Sequence, residues 1–161
     1  MPDRPDDLNT RRSDPLGDML AGGDLLAALT NTSPWGLVTC DDLPEDYNLL
    51  CETVPLLVLL DIVRRWGGTR VYVYRHDTRR DYPPGHPLLD VLERHGEAVV
   101  EAIERLTPGY LSIPAPTTVW RRAATRLLRA GRIEPHEAVT TFGVALPYAR
   151  EHWRERPRRR G

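Results

Sequence analysis

The residues best suited to chemistry lie near the C-terminus, in a stretch that we predict to be a helix. Tyr148, Arg150, Glu151 and Arg154 would project from its exposed side. Side chains of these types on an exposed helix can enter the DNA major groove and contact base edges. A tight turn at Gly143 would join this helix to a shorter one before it. The pattern predicts a helix-turn-helix in which the second helix reads DNA.

The charge of the chain is near zero in sum but divided along the sequence. The 161 residues carry a net charge of -1. Residues 116–161 hold eleven Arg and four acidic residues, a net +7, whereas residues 1–63 hold three Arg and twelve acidic residues, a net -9. Such asymmetry indicates a nucleic-acid-binding segment joined to an acidic one. Contacts to phosphate, which position a protein without specifying sequence, are predicted for Arg126, Arg129, Arg132 and the Arg158-Arg159-Arg160 tail.

The sequence favours no class of enzyme. Its five histidines show no HExxH spacing, it has no phosphate-binding loop and no GxSxG, and it contains only three serines. We expect the two cysteines to be reduced thiols. A zinc site built from Cys40, Cys51, His86 and His95 stays open as a minor alternative, although structural zinc ligands usually come in close pairs. We therefore predict no catalytic residues, no cofactor and no metal.

Helices and short strands must position the candidate residues, and the apolar spacing predicts where these elements lie. A capping-box spacing at Asp42 and Glu45 indicates the start of a helix. The leucine-rich helix that follows should end at Gly67-Gly68. Predicted helices cover 45–52, 55–66, 86–92, 97–106, 119–130, 133–142 and 144–153, and predicted strands cover 69–75 and 110–114.

Two stretches of the chain resemble one another. Residues 58–74 align with residues 99–114 when one residue after the glycine is omitted, and each stretch runs helix, glycine-containing stop, strand. A repeat unit usually buries its apolar face against a neighbour or a symmetry mate, and a short strand has edges that need a partner. We therefore predict homodimerisation through paired strands.

Three of these features together resemble the Mor/C family of Mu-like phage transcription activators. They are the leucine-rich helix ending in Gly67-Gly68, the strand TRVYV over 69–73, and a helix-turn-helix with FGV over 142–144. The resemblance covers roughly residues 42–156 and is most specific over 65–73. It implies a homodimeric activator of phage or prophage genes that contacts host RNA polymerase in the bacterial cytoplasm, at the nucleoid.

The resemblance also implies roles for residues of the strand. Gly67 and Gly68 become the hinge before the strand, and Arg70, Tyr72 and Arg75 become candidates for contact with the DNA backbone near the minor groove. These roles follow from the family likeness and not from spacing or charge.

The sequence thus predicts a mainly α protein with short β-strands. An acidic, flexible arm would cover 1–41, a helix-strand dimerisation domain 42–115, and a helix-turn-helix domain with a basic tail 116–161. No stretch approaches the ~20 apolar residues of a membrane helix, and we expect a cytoplasmic protein. We predict a sequence-specific transcription regulator. The alternative is a phage assembly or adaptor protein that uses the same helical dimer core and binds no DNA.

Overall fold

The computed structural model describes residues 34–78 and 81–158. They form a mainly helical protein with short strands, as predicted, and the strands make one two-stranded antiparallel sheet. Short 3-10 turns span Trp35–Leu37, Cys40–Asp42, Glu45–Tyr47 and His76–Thr78. The α-helices are α1 (Asn48–Thr53), α2 (Leu56–Trp66), α3 (Pro87–His95), α4 (Glu97–Leu106), α5 (Pro116–Arg129), α6 (Pro135–Phe142) and α7 (Leu146–Arg154). The strands are β1 (Arg70–Val73) and β2 (Gly109–Ser112). None of the helices in these two ranges is long and apolar enough to cross a bilayer.

Proline and glycine mark several helix ends. Helices α3, α5, α6 and α7 each carry a proline in the first turn, where its missing N–H costs no hydrogen bond. Gly143 ends α6 in the left-handed conformation, with φ of 69°. Asp42 is not the N-cap that its spacing predicts: its carboxylate accepts from the Thr39 backbone N–H at 2.8 Å, three residues earlier. The helical segment after it begins with the 3-10 turn at Glu45 and continues as α1 from Asn48.

The two strands pair with each other inside one chain. Val71 faces Leu111 and Tyr72 faces Tyr110 in antiparallel register. Val71, Val73 and Leu111 point into the core, so the sheet buries one face. Each strand was predicted to pair with a strand of a second copy, but β1 pairs with β2 of the same chain.

The residues just before the helical core are packed against α5. Trp35 is only 5% exposed, and its ring meets that of Trp120 edge to face at 5.5 Å. Arg126 donates to both carboxylate oxygens of Asp42, at 2.9 and 3.0 Å, and to the carbonyl oxygen of Leu37 at 2.8 Å. The predicted flexible arm, residues 1–41, thus includes a packed segment from 34 to 41. Its residues 1–33 lie outside the described part of the chain.

The glycine pair predicted as a hinge lies in a tightly packed corner. A Cβ at Gly67 would come within 2.4 Å of the Val63 carbonyl oxygen, 2.6 Å of Pro116 Cδ and 2.7 Å of the Pro114 carbonyl oxygen. Gly68 donates its N–H to the Ile113 carbonyl oxygen at 2.8 Å. Gly67 is therefore required by close approach of backbone, since its φ of -55° suits any residue.

We expect Gly67→Ala to lower the free energy of unfolding by about 3 kcal/mol, the upper end of what overpacking costs, because two of the three blocking atoms are backbone. Gly85→Ala is the control, because Gly85 has a φ of +81° but no atom within 4 Å of the added Cβ. It should cost only the left-handed penalty of about 1–2 kcal/mol. Urea unfolding measures both. An unchanged midpoint for Gly67→Ala would contradict the packing argument.

Candidate nucleic-acid interface

The C-terminal residues form three helices packed on one another. Helix α7 contacts both α5 and α6, and α5 also contacts α6. Three residues, 143–145, separate α6 from α7. The shared interior consists of small and apolar side chains: Ala123, Ala124, Leu127, Leu128, Ala138, Phe142, Val144 and Ala149. Small residues allow the helix backbones to approach closely, which fixes the direction in which α7 presents its outer face.

The outer face of α7 carries unpaired charge. Arg150, Glu151 and Arg154 are all exposed. Arg150 and Arg154 are four residues apart and so lie on one side of the helix. No acidic side chain within residues 34–78 and 81–158 forms an ion pair with either arginine. Their guanidinium groups are free to meet an external anion or a base edge.

Tyr148 has a different environment from the one predicted for a base contact. Its side chain is half-buried, and its hydroxyl lies 2.6 Å from the Thr125 hydroxyl on α5. Its ring meets His152 edge to face at 4.4 Å. Tyr148 therefore joins α7 to α5, while Arg150 and Arg154 point outward.

The three arginines predicted to hold phosphate before the C-terminal tail differ from one another. Arg126 is hydrogen-bonded to Asp42, as described above, and this hydrogen bond raises the pKa of the Arg126 guanidinium above its ordinary value. Arg129 donates to Glu155 at 2.6 Å, and Glu155 is also bonded to His152 at 2.9 Å. The hydrogen bonds from His152 and Arg129 lower the pKa of Glu155. Arg132 is exposed.

Two cationic residues of α5 were not among the predicted DNA contacts. Arg121 and Arg122 are exposed and line an open cleft of about 930 Å³ between α5 and α7. Arg129, Tyr148 and His152 also line it. The adjacent pair of arginines was a visible signal in the sequence, but nothing in it showed which helical arginines would be left without partners. Arg158 is exposed as well, and Arg159 and Arg160 lie outside the described residues.

Two of the other candidates, Arg70 and Tyr72, lie on the exposed face of β1, and the third, Arg75, lies two residues after its end. Arg70, Tyr72 and Arg75 are all exposed, Tyr72 by 48%. Tyr72 meets the cross-strand Tyr110 edge to face at 5.0 Å, and the Arg70 guanidinium lies 4.4 Å from the centre of the Tyr110 ring. Tyr110 itself is 67% exposed. The result is an exposed aromatic and basic surface on β1 and β2.

Two buried carboxylates support the core around the sheet. Asp61 is bonded to His95 at 2.7 Å and to Arg64 and Arg94 at 3.3 Å. Burial raises the pKa of Asp61, but the His95 hydrogen bond and the nearby arginines outweigh it, so the pKa is lowered overall. Glu104 accepts from the Tyr82 hydroxyl at 2.8 Å.

The two cysteines of the zinc alternative lie beside each other, but its two histidines have other partners. Burial, followed by a hydrogen bond with Cys40, raises the pKa of the Cys51 thiol to about 12. His95 is bonded to Asp61, and His86 lies 3.0 Å from the Tyr72 carbonyl oxygen. Across the ranges that the structure describes, no group of three or more His, Cys, Asp or Glu side chains is placed to hold a metal ion.

Comparison with known proteins finds no relative of this chain. No family model, no curated protein and no solved structure matches the chain.

Proposed function

We propose that this protein is a sequence-specific DNA-binding transcription regulator. The observation that carries the proposal is that Arg150 and Arg154 are exposed on α7 and have no acidic partner among the described residues. In this proposal α6, the turn at Gly143 and α7 form a helix-turn-helix, and α7 is the recognition helix. The net charge of +7 over residues 116–161 supports it, because DNA binding draws most of its affinity from phosphate contacts.

The proposed phosphate contacts follow the exposed cations. Arg121, Arg122, Arg129, Arg132 and Arg158 are exposed, and only Arg129 has an acidic partner among the described residues. Arg126 is left out, because displacing Asp42 would leave a buried carboxylate unpaired. Arg70 and Tyr72 on β1 and Arg75 just after it remain candidates for a second DNA contact. Tyr148 is assigned to support of α7.

The resemblance to the Mor/C activators supports the biological setting of the proposal. It suggests a phage or prophage activator that acts at the bacterial nucleoid and recruits host RNA polymerase. The same resemblance suggests a homodimer, whereas the pairing of β1 with β2 inside one chain favours a single copy.

The second candidate is an adaptor or assembly protein that binds a protein partner instead of DNA. The exposed tyrosines of the sheet favour it, since exposed aromatic residues are enriched in protein interfaces. Its arginine-rich end would then be solvated or bind an acidic partner.

Titration of labelled duplex DNA by fluorescence anisotropy separates the two candidates. Five phosphate contacts predict a slope of about -4.5 for the logarithm of affinity against the logarithm of salt concentration, which is roughly 500-fold weaker binding at 200 than at 50 mM. Arg122→Ala should weaken binding to all duplexes alike and flatten the slope by about 1, whereas Arg150→Ala should relax sequence preference by about 1–3 kcal/mol.

Arg105→Ala serves as the matched control for these arginine variants. Arg105 is exposed on α4 and pairs with Glu101 at 2.9 Å, away from α5 and α7. Its removal should leave DNA affinity unchanged. Absence of binding to every duplex at low salt would reject the regulator and favour the adaptor.

A further inference from the structure

The two similar stretches of sequence fold into the helix-strand pairs α2–β1 and α4–β2, and each pair makes a larger unit with the helix before it. The first unit is α1, α2 and β1, and the second is α3, α4 and β2, in the same order. The two units pack against each other through their helices: α1 contacts α4, and α3 contacts α2. The first helix of each unit thus packs on the second helix of the other. The symmetry is approximate, because α3 also contacts α4, which follows it after Gly96 alone.

The strand register places a two-fold axis through the sheet. In the sequence alignment of the two units, Val71 corresponds to Leu111, and these residues face each other across the strands. A residue faces its own equivalent only on a two-fold axis. On either side the pairs are exchanged: Arg70 faces Ser112, and Tyr72 faces Tyr110.

The outer edges of the sheet are covered at equivalent positions. The Tyr72 carbonyl oxygen on β1 is 3.0 Å from His86 Nε2, and the Ser112 carbonyl oxygen on β2 accepts from the Tyr47 hydroxyl at 3.1 Å. Tyr72 and Ser112 correspond in the alignment. His86 and Tyr47 are the residues immediately before α3 and α1.

The tautomer of His86 follows from its second contact. Its Nδ1 accepts from the Leu88 N–H at 3.1 Å, which leaves the proton on Nε2 to be donated to Tyr72. Both edges therefore have a donor from within the chain, which reduces the need for a second copy to pair with them.

We propose that one chain is a fused pseudo-dimer that acts on DNA as a single copy. Its two units build within the monomer the two-fold core that two identical subunits would otherwise build. Symmetric helix-turn-helix dimers read two half-sites because each subunit brings a recognition helix. Here one α5–α7 unit follows the second repeat, and the described residues hold no counterpart after the first. The chain is then expected to read one DNA element that has no inverted copy beside it. This conclusion rests on the proposed DNA-binding function.

Sedimentation equilibrium of the full-length chain at micromolar concentration tests the pseudo-dimer. The expected mass is that of one chain, 18.3 kDa. A stable species of twice that mass overturns the proposal, whether the copies pair edge to edge or exchange their repeat units.

Selection of bound duplexes from a random pool, followed by native mass spectrometry of the complexes, tests the DNA part. One sequence element and one chain per duplex are expected. Inverted copies of an element spaced by ~10 base pairs, with two chains bound, overturn the inference but leave the regulator intact. If no duplex is enriched, the regulator and the DNA part fail together, while the mass of the free chain still decides the pseudo-dimer.

Discussion

Asp61→Ala is expected to lower the free energy of unfolding by about 3–5 kcal/mol, the cost of breaking a buried ion pair by removing one partner. Asp61 is 2% exposed, and its carboxylate is the shared partner of Arg64, Arg94 and His95. Without it these three donors face each other across a site that water reaches poorly. Urea unfolding at neutral pH measures the loss.

Glu101→Ala provides the exposed comparison. Glu101 also pairs with an arginine and a histidine, Arg105 and His76, but its side chain is 40% exposed. Solvent screening should keep its loss below about 1 kcal/mol. Equal losses for the two variants would show that the Asp61 cluster is not the electrostatic centre that its burial indicates.

The stabilisation from Asp61 should depend on pH in one direction. Its pKa in the folded protein lies below the ordinary value of 3.8, so folding favours the charged form. The contribution is therefore fully present at neutral pH and is lost as the pH falls through the folded pKa. The difference in unfolding free energy between wild type and Asp61→Ala should shrink below about pH 4. A difference that grows on acidification would contradict this sign.

Trp35→Ala is expected to lower the free energy of unfolding by about 3–5 kcal/mol, the range for truncating a buried tryptophan. Trp35 contacts Trp120 on α5, and the 3-10 turn that contains Trp35 is also held to α5 by Arg126, which donates to the Leu37 carbonyl oxygen. Its loss would open a cavity between the N-terminal segment and the C-terminal helices.

Leu37→Ala in the same 3-10 turn is the matched control. Leu37 is 42% exposed, and its removal should change stability by no more than about 0.5 kcal/mol. If Trp35→Ala had an equally small effect, residues 34–41 would behave as the flexible arm that composition alone predicts, and not as part of the core.

Local sequence patterns were sufficient for the α-helices and for the positions of the two strands. The apolar spacing of 55–66 and 97–106 predicted α2 and α4, and the β-branched and aromatic run after Gly68 predicted β1. These elements depend on interactions between near neighbours: helical periodicity, strand propensity and the conformations of glycine and proline. The outward position of Arg150 and Arg154 on α7 is of the same kind, because it follows from the phase of a single helix.

Long-range partners decided the rest of the candidate site. Arg126 and Arg132 look alike in the sequence, yet Arg126 is bound to Asp42, 84 residues earlier, and Arg132 is exposed. Tyr148 was assigned to DNA because its helix was predicted, but the Thr125 hydroxyl opposite it was visible only once α5 and α7 were packed. A side chain's charge and type say what it can bind, and the fold determines which partner is within reach.

The strands show the same division between sequence and tertiary structure. The sequence by itself determined that two helix-strand units exist, that their short strands need partners, and that the positive charge lies at one end of the chain. Only the tertiary structure decided that β1 pairs with β2 of the same chain, with Tyr47 and His86 covering the outer edges. The physical reason is that a strand edge offers the same N–H and C=O groups to any strand. The packing of the connecting helices therefore determines which strand lies beside it.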